Sequence, residues 1–357
     1  MRCAARVVSL GVAAAFVLAA CGGTAPTGSG LDVRACLVSD LAGFDDRSFN
    51  QSALEGLERA ESELGVEIAT AEPVVEADVA VHLEAFVADG CTLVIGVGYL
   101  LEPAVREAAE ANPEVSFALV DASFFDVDGR PVTLHNAKPL RFDTAQAAFL
   151  AGYLAAGVSR TGTVATFGGV RIPSVTVFMD GFVAGAARYG QDDGTPVRTL
   201  GWSTGTENGT FVGSFTDHEE GLRLSEDFLA QGADVLFPVA GPVGLSAVAA
   251  IRDSGAPALV VGVDTDWSVT VPDAADLVLT SVVKEVGQAV FDTVRQAWEG
   301  SFTSDPYLGT LENGGVGLAS PHDLGPDVPV ALLERVERVR ADIVTGKITV
   351  TSPSTPR

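Results

Sequence analysis

Three carboxylates and one ammonium stand at the ends of strand-like runs. Asp40 closes Cys36–Asp40, Asp121 closes Ser116–Asp121, Asp264 closes Ala258–Asp264, and Lys284 follows Leu277–Val283. Ionised carboxylates accept hydrogen bonds from N–H and O–H groups, whereas an ammonium donates them. The chain uses three lysines (138, 284 and 347) against nineteen arginines. A compact ammonium on a flexible stem is not equivalent to a planar guanidinium, and its place after a buried-looking strand points Lys284 into a cleft. Gly96-Val-Gly98, Gly168-Gly169 and Ala240-Gly241 occupy further strand ends. After the first run comes Asp40-Leu-Ala-Gly-Phe-Asp-Asp-Arg-Ser-Phe-Asn-Gln51. Asp45 and Asp46 sit where a helix N-terminus welcomes negative charge, and Ser48 or Asn50 offers a cap. Phe49 is left as an aromatic ring in a loop, which capping does not explain.

These residue types suit binding, and no recognisable enzyme motif accompanies them. No GxGxxG or GxxxxGK[ST] fingerprint occurs, the folded body has no GxSxG, and the four histidines (82, 135, 218 and 322) lack ligand spacing. Asp126-Val-Asp-Gly129 reads as a turn rather than a calcium loop. No metal, no cofactor and no enzymatic activity are expected.

The elements that would hold these residues alternate. Strand-like Cys36–Asp40, Val66–Thr70, Thr92–Gly96 and Ser116–Asp121 are separated by helix-like stretches such as Asn50–Leu64 and Glu102–Ala111, with Leu54, Leu57 and Leu64 forming one stripe. The pattern restarts with Gly162–Gly168, Val197–Trp202, Asp234–Val239, Ala258–Asp264 and Leu277–Val283. Helices are expected at Val175–Tyr189, Glu219–Gln231, Pro242–Ser254, Glu285–Glu299 and Pro329–Thr345. Near-continuous apolar strands, each followed by a helix, predict two parallel α/β units covered on both faces. Such sheets bind ligands outside the carboxyl ends of their strands, and two facing edges make a cleft.

Residues 1–21 indicate where the chain works. Arg2 and Arg6 precede an uncharged apolar run from Val7 to Ala20, too short for a membrane span and ending Leu18-Ala19-Ala20-Cys21. Residues 1–20 read as a signal peptide. Cys21 resembles the lipidated cysteine of a bacterial lipobox, and residues 21–31 form a Gly/Ser/Thr/Pro-rich leash. The chain carries 47 acidic and 22 basic side chains, and losing Arg2 and Arg6 takes its formal charge from −25 to about −27. Such a field excludes nucleic acid and an anionic bilayer as general partners. Cys36 and Cys91 open neighbouring strand-like runs and are either bridged or buried as free thiols; no zinc spacing exists.

The chain resembles the basic membrane protein family, the PnrA-like purine nucleoside receptors of bacterial ABC importers. The resemblance runs from about Ala35 to Ser320. It is carried by DxxGxDDRSFNQ (40–51), IGVGYLLEPAVREAA (95–109), ALVDA (118–122), FLAGYLAA (149–156), TGTVATFGGVRIPSVTVFMDGFVAG (161–185), GADVLFPVAG (232–241), VVGVDTD (260–266), LTSVVK (279–284) and NGGVGLA (313–319). It implies the type I periplasmic-binding-protein fold: two doubly wound parallel-sheet lobes joined by three hinge crossings. The lobes would be 32–142 with 283–308 and 143–282 with 309–350, leaving 351–357 as a tail. It further implies that Phe49 and Phe178 sandwich a base, that Asp40, Asn50 and Asp121 bond its edge, and that Gly241, Asp264 and Lys284 hold the ribose. The implied protein is a monomeric, lipid-anchored receptor on the extracytoplasmic face, with a nucleoside ligand and ABC permease subunits as partners. A sugar-binding protein of the same fold and a non-transport surface sensor are the alternatives. Many relatives carry Trp where this chain has Leu54, and a polar residue where it has Trp267, so Trp267 is expected to narrow the cleft or alter base preference.

Overall fold

The computed structural model describes residues 30–356; the signal segment, Cys21 and nearly all of the leash lie outside them. The first half forms β1 (Arg34–Val38), α1 (Phe49–Leu64), β2 (Glu67–Ala71), α2 (Glu76–Ala88), β3 (Leu93–Val97), α3 (Glu102–Ala111), β4 (Ser116–Val120), a β5–β6 hairpin (Phe124–Phe125, Pro131–Val132) and β7 (Ala137–Phe142). There follow α4 (Thr144–Val158), β8 (Thr163–Gly168), α5 (Pro173–Asp193), β9 (Arg198–Leu200) and the β10–β11 hairpin (Trp202–Ser203, Asn208–Gly209). Next come α6 (His218–Ala230), β12 (Val235–Val239), α7 (Leu245–Ser254), β13 (Leu259–Asp264), α8 (Trp267–Thr270) and β14 (Val278–Lys284). The chain ends in α9 (Val286–Trp298), β15 (Tyr307–Gly309), β16 (Val316–Leu318) and α10 (Val330–Val344).

Two six-stranded sheets result, ordered β15-β7-β4-β3-β1-β2 and β16-β14-β13-β12-β8-β9. Every pair is parallel except β14–β16. β3 (LVIGV) and β12 (VLFPV) are buried along their whole length, as strands covered by helices on both faces must be. The chain passes between the sheets three times: from β7 into α4, from β14 into α9, and from β15 to β16.

Two devices fix the parts that matter for the cleft. Helices α4 and α5 pack at the distance of bare backbones: a Cβ on Gly152 would strike the Phe182 carbonyl, and one on Gly185 the Phe149 carbonyl. This contact sets the depth of α5, which carries Phe178. In the first lobe Cys36 and Cys91 form a disulfide with their Cα atoms 6.1 Å apart, joining β1 to the turn before β3. Such bonds persist in oxidising compartments.

Candidate functional site

The carboxyl ends of the two sheets face each other. Positions Asp40, Phe49, Asn50, Asp121, Phe178, Gly241, Asp264 and Lys284 all line one cavity between them. Register explains part of this convergence. Asp264 pairs with Val283, so Lys284 is the next residue along the neighbouring strand. Asp121 follows β4 and Asp264 ends β13, the third strand in each sheet order. Both adopt left-handed backbone, with φ of 68° and 65°. Aspartate tolerates that region better than most residues, and such conformations gather at functional sites.

Lys284 is the hub. Its ammonium lies 2.5 Å from Asp121 Oδ2 in one lobe and 3.1 Å from Asp264 Oδ1 in the other. The side chain is 3% exposed. Burial works against this charge, but the two carboxylates outweigh burial and hold the lysine above its ordinary pKa. Burial raises the Asp121 pKa; Lys284 partly offsets this, and the Asp264 charge adds to it. The same ammonium lies 4.7 Å from the Phe49 ring centroid and 5.1 Å from that of Phe178, within cation–π range of both.

Phe49 is the first residue of α1 rather than a loop residue, and is half-buried. Phe178 lies in the second turn of α5, buried and tilted against Phe237 with centroids 6.2 Å apart. It therefore belongs to the lobe's core and to the cavity wall at once. The helix cap differs from expectation. Ser48 is the N-cap residue but makes no capping bond, because its backbone is turned away from cap geometry. Asp46 takes the role, accepting from the backbone N–H groups of Ser48, Asn50 and Gln51 at 2.9, 2.8 and 3.0 Å. It also accepts from Asn50 Nδ2 at 3.0 Å.

Asn50 is thereby locked and presents its amide to Asp40. Its Nδ2 donates to Asp40 Oδ1 at 2.8 Å, and its Oδ1 accepts from the Asp40 N–H at 3.0 Å. Asp40 Oδ1 also accepts from the Ala42 N–H at 2.9 Å. Burial pushes the Asp40 pKa up to about 6 despite these bonds, helped by the Asp46 and Asp264 charges. Among the described residues no hydrogen bond reaches Asp40 Oδ2. Gly98, at φ +114°, leaves that oxygen room: a Cβ there would lie 3.5 Å from it.

Direct contacts hold the lobes together at the cavity rim. Ser48 Oγ donates to the Val263 carbonyl at 3.2 Å, and Thr265 Oγ1 to the Arg47 carbonyl at 3.2 Å. In this closed arrangement the cavity keeps about 60 Å³, room for a few waters. A larger ligand enters only as the lobes part.

Trp267 does not narrow the cleft. It is buried behind β13 against Gly244 and Gly262, its indole N–H donating to the Val263 carbonyl at 3.0 Å. Tyr99 and Phe215, which the strand-end rule did not single out, line the cavity instead. Tyr99 directly follows Gly96-Val-Gly98, so extending the rule by one residue would have found it. Phe215 comes from the long loop between β11 and α6 and had no local signal. Its ring lies over Gly169, where a Cβ would collide with it.

The model of the PnrA-like ABC transporter substrate-binding proteins matches residues 34–351. The chain belongs to this family. As a PnrA-like protein it is 29% identical to a nucleoside-binding protein of an ABC transporter from Lactococcus lactis, over 97% of this chain and 98% of that one. It is 30% identical to basic membrane protein A1 of Borrelia garinii, over 69% and 67% of the two chains. Its fold matches an ABC transporter solute-binding protein of Aeropyrum pernix with a TM-score of 0.79 and 24% identity, covering 90% and 94%. The architecture is the type I periplasmic-binding-protein fold, and the family works with transporter permeases on small-molecule ligands.

Proposed function

We propose that this PnrA-like protein is a lipid-anchored, extracytoplasmic receptor that captures purine nucleosides and delivers them to the permease of an ABC importer. Cys21 would carry the lipid, and no helix among the described residues is long and apolar enough to cross a membrane. The chain would act as a monomer and perform no covalent chemistry.

One observation carries the reading: two aromatic rings converge on a single ammonium, with carboxylates and an amide around them. A purine entering as the lobes open would take the space between Phe49 and Phe178, stacking on both faces. Asp40, Asn50 and Asp121 would meet its edge. Gly241, Asp264 and Lys284 would hold the ribose, its hydroxyls donating to Asp264 and accepting from Lys284. Gly241 adopts a left-handed φ of 53° and presents no Cβ to that approach. Closure then follows the hinge pattern, with the closed form presented to the permease.

Charge decides against phosphorylated ligands. The cavity wall carries four carboxylates (Asp40, Asp46, Asp121 and Asp264) and one ammonium, so a phosphate entering it would be repelled. A thermal-shift panel tests this directly, because a ligand specific to the native state raises the melting temperature. Guanosine, adenosine and inosine should raise it, whereas their monophosphates, ribose and free sugars should not. A sugar that stabilises while every nucleoside fails would favour the alternative solute.

Binding should depend on pH through Asp40. Protonation turns its outer oxygen into an O–H donor facing the ligand's own N–H, and burial holds the Asp40 pKa up to about 6. Affinity should therefore be flat above pH 7 and fall about tenfold between pH 7 and pH 5. Asp40→Asn should abolish that slope. Calorimetric affinities that rise on acidification would contradict this role for Asp40.

A further inference from the structure

Beyond Asp121 the cleft opens into a second chamber of about 470 Å³, far roomier than the first. The two share Tyr99, Asp121 and Ser174 as walls. One side of the second chamber is first-lobe structure, including Phe125 on the β5–β6 hairpin and Phe142 at the end of β7. The other side is α5 together with Pro353-Ser-Thr-Pro356, the last described residues of the chain.

That terminal segment is fastened. Ser352 Oγ donates to Asp180 Oδ2 at 2.5 Å, and Asp180 is 1% exposed. The other oxygen of Asp180 accepts from the Trp202 indole at 2.7 Å. Ser354 Oγ lies 2.7 Å from Thr176 Oγ1, and the Ser354 N–H turns back onto Ser352 Oγ at 2.9 Å. Both anchors are on α5, flanking Phe178 in sequence. A polar terminus held by a fully buried carboxylate is built into the lobe. It therefore travels with Phe178 when the lobes part.

We propose that this chamber is a subsite continuing the ligand cavity past Asp121, with residues 352–356 as its outer wall. It takes an uncharged aromatic or aliphatic extension on the edge of the heterocycle that meets Asp121. Aromatic rings and prolines supply most of its apolar lining, and Arg141 and Glu207 add one charge of each sign to its walls. Asp121, at the junction, accepts an N–H from the substituted nitrogen while the substituent continues beyond it. This inference rests on the nucleoside reading and adds a ligand class to it: purine nucleosides alkylated or arylated on their exocyclic nitrogen.

The test is calorimetric titration of adenosine and N6-benzyladenosine into three proteins: the intact chain, a form ending at Thr351, and Ser352→Ala. The intact chain should bind both within about tenfold of each other. The truncated form should bind adenosine within about threefold of the intact chain but lose at least tenfold for the benzyl derivative, with Ser352→Ala in between. Rejection of the benzyl derivative by an intact chain that binds adenosine overturns the subsite and leaves the nucleoside reading standing. Equal weakening of both ligands by truncation overturns the wall's selective role. Binding of neither by the intact chain overturns both readings together. Melting curves show whether the truncated form is folded, and Ser352→Ala keeps the comparison alive if it is not.

Discussion

Lys284→Met is expected to destabilise the folded chain by about 3–5 kcal/mol, the usual cost of removing one partner from a buried ion pair. The melting temperature should fall by roughly 10 °C. The reason lies in geometry: the ammonium is the cation that Asp121 and Asp264 share, and all three side chains are at most 11% exposed. Without it two carboxylates face each other across the lobes with nothing to balance them. A sign follows. In the variant Asp121, whose pKa burial already raises, would lose the offset that Lys284 gives it, so the native state would bind more protons than the unfolded one. Its stability deficit should therefore shrink as the pH falls from 7 towards 5. Adding Asp121→Asn to Lys284→Met should recover part of the loss at pH 7. Melting curves at both pH values check this; a variant as stable as the parent at pH 7 would mean that Lys284 does not balance the pair.

Phe49→Ala should weaken nucleoside binding by about 1–3 kcal/mol, the worth of one stacked base, or roughly 5- to 150-fold in Kd. Stability should change far less, because Phe49 is half-buried at the first position of α1 and belongs more to the cavity than to the core. Phe178→Ala differs in kind. That ring packs on Phe237 in the lobe interior, so its loss would reduce stability and affinity together. Phe49 is the cleaner probe of stacking. A Phe49→Ala protein that retains full nucleoside affinity would remove the ring from the proposed site.

Much of the site was legible because parallel sheets bring strand ends together. Asp40, Asp121, Asp264 and Lys284 could each be found as the residue closing an apolar run, and the sheets converge them on one cavity. Phe49 could be found as a residue that capping did not use up, whereas Asn50 read as a cap and took a ligand role only from the family resemblance. Phe178 had no such mark: it lies inside a helix, and only family resemblance singled it out. Helix α4 shows a different blind spot. Twelve of its fifteen residues are buried, so it has no polar face and gives no amphipathic stripe to read. Helix α2 and strand β7 also escaped the pattern, β7 because its run AKPLRF interrupts the apolar residues with Lys138, Pro139 and Arg141. Cys36 and Cys91 were legible as opening neighbouring strands, but adjacency alone left a bridge and two free thiols equally open; the structure pairs them. The narrowing expected of Trp267 failed for a related reason. It follows a site aspartate closely, yet the turn after β13 sends it behind the strand, onto two glycines that leave room for its ring.

The most direct measurement is isothermal titration of the mature protein with guanosine, adenosine and inosine at pH 7.5. Saturable one-to-one binding in the micromolar range or tighter, lost in large part in Phe49→Ala, is the outcome that a stacked, neutral purine nucleoside requires. No heat from any of the three, together with saturable binding of a free sugar or an amino acid, would contradict it.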